Sequence, residues 1–283
     1  MSVTATPDHR SSAPSTMTPL KGASFATGLR VFTARSLKHS FRDGESLLMA
    51  ILLPLMLMLI FTFILGGAIT VDAEAASSAE GRDAYLSYVL PAIAITAAGF
   101  GASYTAVVVS NDMTTGFMNR LRTMPFPAAT VLLGHTASSM ARNLLATAVV
   151  LGAAFALGFR TQASPAQLLA AVGLIGLWIL VITVIFTAIG MVAGSAESAS
   201  GYGFILLFLP YVSSGYAPVE TMPSWLRGFA EHQPMTPIID ASRALLNGEP
   251  VTSQWWVGVL WCTGFIAAGI WLTALIFPRK VAQ

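Results

Sequence analysis

Residues 47–69 read LLMAILLPLMLMLIFTFILGGAI, twenty-three positions without one charged side chain. A helix needs about 20 apolar residues to cross the ~30 Å hydrocarbon layer of a bilayer. A rod this long and apolar on every face needs lipid or the core of a large protein around it. The stretch is read as a membrane-spanning helix with Pro54 inside it. Composition agrees: 55% of the chain is hydrophobic and only 10% is charged, where soluble domains carry about 25% charge. The mean hydropathy is +0.70. Lipid must solvate much of this surface.

Five further stretches are apolar enough to follow the first: 86–109, 138–159, 168–193, 202–217 and 255–277. The one at 202–217 is short and interrupted by Pro210 and Gly215. The expected fold is therefore an all-α integral membrane protein with six transmembrane helices. Residues 1–23 are expected as a cytoplasmic tail, Ser/Thr/Pro-rich and disordered over its first twenty positions. Residues 24–46 form an amphipathic interfacial helix, 47–277 the transmembrane domain, and 278–283 a second tail. A secretory signal places its apolar core within about the first 30 residues. The first long apolar run starts later than that, so no such signal is read.

Lysine and arginine mark the cytoplasmic side. Arg10, Lys21, Arg30, Arg35, Lys38 and Arg42 precede the first span. Arg120, Arg122 and Arg142 follow the second, and Arg279 and Lys280 close the chain. The opposite side holds Arg82, Arg160, Arg227 and Arg243 among acidic loops. Both termini are expected in the cytoplasm of a multi-pass plasma-membrane protein, which an even number of spans also requires.

Three segments outside the spans carry structure of their own. In 24–45, Phe25, Leu29 and Phe32 recur at i, i+4 and i+7, interleaved with Arg30, Arg35, Lys38 and Arg42. That is a basic amphipathic helix on the inner leaflet, either an anchor for the first span or a contact for a cytoplasmic partner. In 111–127, Phe117, Met118, Leu121 and Met124 give a short helix an apolar side, and Arg120 and Arg122 hold it at the inner surface. Pro125 and Pro127 stop it. An ordinary positive-inside loop is the alternative. In 218–250, Thr236-Pro237 reads as a helix start and Asn247-Gly248 as its end. Asp240 and Arg243 stand at i, i+3, in reach of each other. Trp225, Leu226 and Phe229 suit the headgroup layer. This segment is expected as an external re-entrant or interfacial helical element, either a structural lid or a substrate gate.

Several chemistries are missing. Lys21, Lys38 and Lys280 follow Leu, Leu and Arg, so no Gly-Lys-Ser/Thr phosphate loop is present. His9, His39, His135 and His232 have no metal-ligand spacing. Cys262 is alone and rules out an internal disulfide. The small, dispersed net charge of +2 offers no nucleic-acid surface. Ion-driven carriers need ionisable groups inside the membrane. His135 and Arg142 are expected at the cytoplasmic end of the third span and Glu197 at the inner surface, leaving the span centres clean. Energy is then expected from another subunit.

Two stretches carry a family resemblance. One is 112–125, DMTTGFMNRLRTMP, with an acid, a Gly and Arg-x-Arg before Pro. The other runs from 222–226, MPSWL, through 233–237, QPMTP, to 241–248, ASRALLNG. They resemble the membrane subunits of type-2 ABC exporters, above all the daunorubicin-resistance-like drug-efflux branch. Thr114 and Asn119 stand where the family often has acids.

The resemblance implies a homodimer or a pair of such subunits forming the pathway. It implies two separate ATPase subunits below, which bind the ATP and Mg; this chain binds no cofactor. Residues 112–125 would be the coupling helix, with Asp112, Gly116, Phe117, Met118, Arg120, Leu121 and Arg122 meeting the ATPase. The interfacial helix, with Phe25, Leu29, Phe32, Arg35 and Arg42, would brace the same partner. Trp225, Pro237, Asp240 and Arg243 are the external gate candidates. Phe61, Tyr104, Phe204, Phe208 and Tyr211 are the candidates for a mostly apolar cargo path. The cargo class is a drug or lipid-like molecule, with polysaccharide or glycolipid export and an ion-coupled carrier as alternatives. Gly190-x-x-x-Gly194 is a helix-contact pattern that does not by itself place a dimer seam.

Overall fold

The computed structural model describes residues 24–65, 79–115 and 129–281. Among them the chain is helical throughout, with no strand. Nine α-helices follow in order: α1 Phe25–Arg42, α2 Gly44–Ile60, α3 Ala79–Thr114, α4 Ala129–Ala156, α5 Pro165–Val192, α6 Ala196–Leu207, α7 Ser224–His232, α8 Met235–Asn247 and α9 Gln254–Val281.

Five helical stretches are long and apolar enough to cross a membrane: Gly44–Ile64, Gly81–Thr114, Thr130–Ala156, Pro165–Val192 and Gln254–Ile276. The molecule is thus a multi-pass helical membrane protein. The stretch expected at 202–217 is different. It is the twelve-residue α6, a 3-10 turn at Leu209–Val212, and an irregular bend. At 1.5 Å per residue α6 is about 18 Å long, short of the hydrocarbon thickness. Pro210 supplies no N–H, and this is where regular helix gives way.

α3 is the central post. At 36 residues it is about 54 Å long, and 72% of its apolar window is buried, the highest share of the five. It packs against α2, α4, α5, α6 and α8. α2 and α9 are the outer rods, 22% and 11% buried. α3 and α5 approach closely at Gly190, where a β-carbon would sit 2.5 Å from the Ala106 carbonyl oxygen and 2.8 Å from Val109 Cβ. Half of the Gly-x-x-x-Gly pattern is therefore spent inside one subunit.

Landmarks along α3 fix the other helices. Leu207 lies against Gly99, and Gly215 against Ala92. Segment 207–215 thus travels along α3 from its middle toward Tyr88. Gly248 touches Gln162 just before α5, and Gly269 meets Val184 further along it. α9 therefore runs parallel to its neighbour α5. Gly248 ends α8 in the left-handed conformation (φ +79°), which glycine adopts without steric cost.

α1 joins α2 through Asp43 alone. Asp43 accepts from the Ser46 N–H at 3.3 Å as N-cap of α2, while its own N–H closes α1 on His39. The interfacial segment expected over 24–46 thus breaks at Asp43, because an Asp side chain satisfies the orphan N–H groups of a new helix. The face packed on α4 is distinct from the apolar stripe expected to meet lipid, with Phe32 common to both. Gly28, Phe32, Ser36 and Ser40 are buried, and the Phe32 backbone lies 3.0 Å from where a Gly134 β-carbon would be. Small residues let α1 lie tight on α4. Of the predicted apolar positions only Phe32 is buried; Leu29 is half-buried and Phe25 points outward, as does Phe41 further along.

Candidate functional site

α1 covers one end of the bundle and α7–α8 the other. Each end is organised around one arginine.

At the α1 end, Arg142 of α4 is 2% exposed. Its Nη1 donates to Ser40 Oγ at 3.1 Å. Its Nη2 donates to the Gly101 carbonyl at 2.5 Å and to Thr105 Oγ1 at 3.2 Å. The guanidinium lies 4.7 Å from the Tyr104 ring centre. Tyr104 donates its hydroxyl to Asp43, so α3 grips the α1–α2 elbow. That bond, above all, holds the Asp43 carboxyl below its ordinary range. Thr105 donates to Ser139 at 2.7 Å. Nearby, His135 Nε2 and Asp112 Oδ2 are 2.8 Å apart and tie α4 to the last turn of α3.

The third span was expected to begin at 138, with His135 and Arg142 at its edge. The helix in fact starts at Ala129, and both residues belong to it. Polar side chains enter an apolar helix when tertiary partners satisfy them, and those partners come from α1 and α3.

At the opposite end, Arg243 Nη1 donates to Asp240 Oδ1 at 2.6 Å. Its Nε donates to the Tyr88 carbonyl at 3.0 Å and its Nη2 to the Ser214 carbonyl at 2.7 Å. The guanidinium is 3.9 Å from the Tyr88 ring centre. Ser214 Oγ donates to Asp240 at 2.6 Å, and Tyr88 donates its hydroxyl to the Ser214 carbonyl at 2.8 Å. Tyr85 donates to the Tyr216 carbonyl at 3.0 Å, and Tyr216 shares a 3.0 Å hydroxyl bond with Thr96. The segment expected as an external element is thereby sewn onto α3. Pro237 is buried beside Asp240, whereas Trp225 is 78% exposed and apart from this clasp. Thr236 is not the helix cap expected of it. α8 begins at Met235, and the Thr236 hydroxyl donates to the Ala230 carbonyl at 2.5 Å, holding α7 against α8.

Four of the five aromatic path candidates converge. Phe204 and Phe208 meet edge-to-face at 4.9 Å, and Phe208 is 6.2 Å from Tyr211. Tyr211 stacks on Tyr216 at 4.8 Å, and Tyr216 lies 4.6 Å from Phe61. The sequence reading missed Tyr216, the buried member that joins the run. Tyr104 is not part of it; it belongs to the Arg142 group. Of the coupling-loop candidates only Asp112 falls within the described residues; Gly116, Phe117, Met118, Arg120, Leu121 and Arg122 lie outside them.

Five candidate spans define a multi-pass helical membrane protein with a polar centre at either end of its bundle. Comparison with known proteins gives the class. The model of the ABC-2 type transporter family matches residues 27–247, and the chain belongs to that family. It is 29% identical over 236 residues to the daunorubicin resistance ABC transporter permease protein DrrB1 of Streptomyces coeruleorubidus, covering 82% of this chain and 80% of that one. It is 26% identical over 232 residues to the probable doxorubicin resistance ABC transporter permease protein DrrC of Mycobacterium tuberculosis, covering 82% and 81%.

Proposed function

We propose that this chain is the transmembrane subunit of an ATP-driven exporter that moves hydrophobic or amphipathic small molecules out of the cytoplasm. The observation that carries the reading is similarity to drug-resistance permeases along four-fifths of both chains. The sequence supports a separate motor, since none of its three lysines follows a glycine as a phosphate loop requires. An ABC ATPase, two copies beneath two permease subunits, supplies the nucleotide chemistry.

In this reading the α1 end faces the cytoplasm. Segment 196–217 makes the sixth crossing, α6 and the bend together, because parallel neighbours α5 and α9 need a return between them. Both termini then lie inside. Residues 112–125 form the coupling helix, with Phe117, Met118 and Leu121 in an ATPase groove and Arg120 and Arg122 beside its acids. The loop leaves the last turn of α3, where His135 holds Asp112. A push on it is carried by α3 and α4 as one lever. From Asp112 to Tyr88 is about 36 Å of continuous helix, and Tyr88 sits under Arg243. Motion at the motor reaches the external clasp through one rigid element. The run from Phe204 to Phe61 offers an apolar, aromatic path beside it.

The test is transport. Inside-out vesicles holding this chain and its ATPase should accumulate daunorubicin with ATP and lose that uptake when Arg120 and Arg122 are both changed to Glu. ATPase co-purification should fall with it. Full uptake and co-purification in the double variant would remove the coupling assignment. A tag at position 75 should label from outside and one at 118 should not; the reverse pattern would overturn the orientation.

A further inference from the structure

A cavity of about 60 Å³ lies between α1, α3 and α4. We propose that it is a binding site for a phosphoryl group, carried by a phospholipid headgroup or by a soluble phosphate compound. The inference stands on the side chains around the cavity and needs no particular cargo.

Arg142 is the first ground. Among the described residues its three hydrogen bonds go to neutral oxygens, and its Nε is buried without a partner. Arg142 belongs to neither the His135–Asp112 nor the Arg243–Asp240 ion pair and has no carboxylate in salt-bridge reach among the described residues. A buried charge with no counter-ion costs several kcal/mol, and Arg142 lines the cavity.

The rest of the lining is the second ground. Ser36, Ser138, Ser139 and His135 present polar groups to the cavity from α1 and α4, and all are buried. Asp112 also borders it, but its Oδ2 is turned to His135. The donors arrive from several directions. Arg142 has used one N–H of Nη1 and both of Nη2; the Nε–H and the last Nη1–H do not lie side by side, so no two-pronged fork is left for a planar carboxylate. A tetrahedral oxyanion uses one Nε–H and scattered hydroxyls well. The volume is far below the roughly 300–1,000 Å³ of a drug-sized pocket, so this is no cargo chamber.

The third ground is the approach. A more open depression adjoins it along α1, with Lys38 and Arg42 on the exposed side of that helix and Asp43, already engaged by Tyr104, at its edge. Its basic rim attracts anions. Phe25, Val31 and Phe41 stand exposed on the same helix, where acyl chains would lie if the phosphate belongs to a lipid.

The experiment uses the full-length chain in detergent, with unfolding followed against inorganic phosphate and against chloride at equal ionic strength. Native mass spectrometry of the same preparation reads retained phospholipid. Phosphate should raise the unfolding midpoint saturably where chloride does not. Arg142→Gln should weaken that response about tenfold, the worth of one charge-assisted bond, and Ser138→Leu, which fills the cavity, should abolish it. Retention of phosphatidylglycerol by the parent chain but not by Ser138→Leu assigns the site to a headgroup. A phosphate response with no retained lipid assigns it to a soluble compound. The parent chain alone decides if a variant does not fold: no phosphate-specific shift and no bound phospholipid would overturn the proposal. A shift undiminished in folded Ser138→Leu would overturn it too.

Discussion

Arg142 is held by one backbone carbonyl and two hydroxyls, Arg243 by two backbone carbonyls, and both lie over a tyrosine of α3. Only Arg243 has a carboxylate, at 2.6 Å. Its charge is answered within three residues on the same helix, and its remaining donors are free to stitch α8 and the Ser214 bend onto α3. Arg142 has no such answer among the described residues, and a cavity opens beside it. The same side chain thus makes a closed fastener at one end and a receptive site at the other. The difference is where the counter-charge comes from.

The largest effect is expected at the fastener. Arg243→Met removes a charged partner from Asp240 and strands the Tyr88 and Ser214 carbonyls. The pair is part-buried, its side chains 15% and 31% exposed, so the loss is about 2–3 kcal/mol, at or below the low end for a buried pair. Detergent-solubilised protein should show a clear fall in unfolding midpoint. Adding Asp240→Leu should restore about 1 kcal/mol, because the stranded carboxylate goes as well. Strictly additive losses would mean the pair does not act as a unit.

A smaller effect is expected from Arg142→Gln in phosphate-free detergent. Hydrogen bonds to neutral acceptors are worth about 1 kcal/mol each, and removing an uncompensated buried charge offsets part of their loss. A net change of about 1–2 kcal/mol should result. Should this variant prove more damaging than Arg243→Met, the contrast between the two ends would fail.

The sequence displayed one of these arginines and hid the other. Arg243 was legible because Asp240 precedes it by three residues on a helix ended by Gly248, a local pattern. Arg142 was not, because Ser40, Gly101 and Thr105 come from two other helices and have no fixed spacing to it. The long apolar helices were legible for the same local reason: their hydropathy is contiguous. The break of the 202–217 stretch was visible in Pro210 and Gly215, but how far the remaining helix would reach was not. The stripe Phe25–Leu29–Phe32 is a pattern for lipid and says nothing of which face of α1 packs on α4. A close helix contact instead selects Gly28, Ser36 and Ser40. Tyr216 gave no signal at all; its role comes from stacking on Tyr211 across a turn.

The smallest effect sharpens the comparison from the α1 side. Asp43 is the nearest thing to a counter-charge there, yet it reaches Arg142 only through the Tyr104 ring. Its carboxyl is held below the ordinary range, chiefly by the Tyr104 hydroxyl. A lowered folded value means the ionised form is favoured by folding. The stabilisation is complete above the unfolded pKa of about 3.9 and fades as pH falls through the lowered value. Asp43→Asn should therefore lower the stability of the fold slightly at pH 7 and flatten its dependence on pH below about pH 4. The parent chain, with the carboxylate ionised, should keep its advantage at pH 5. If Asp43→Asn instead changed the response to inorganic phosphate as much as Arg142→Gln does, Asp43 would be the missing counter-charge after all, and the two ends would differ in distance rather than in kind.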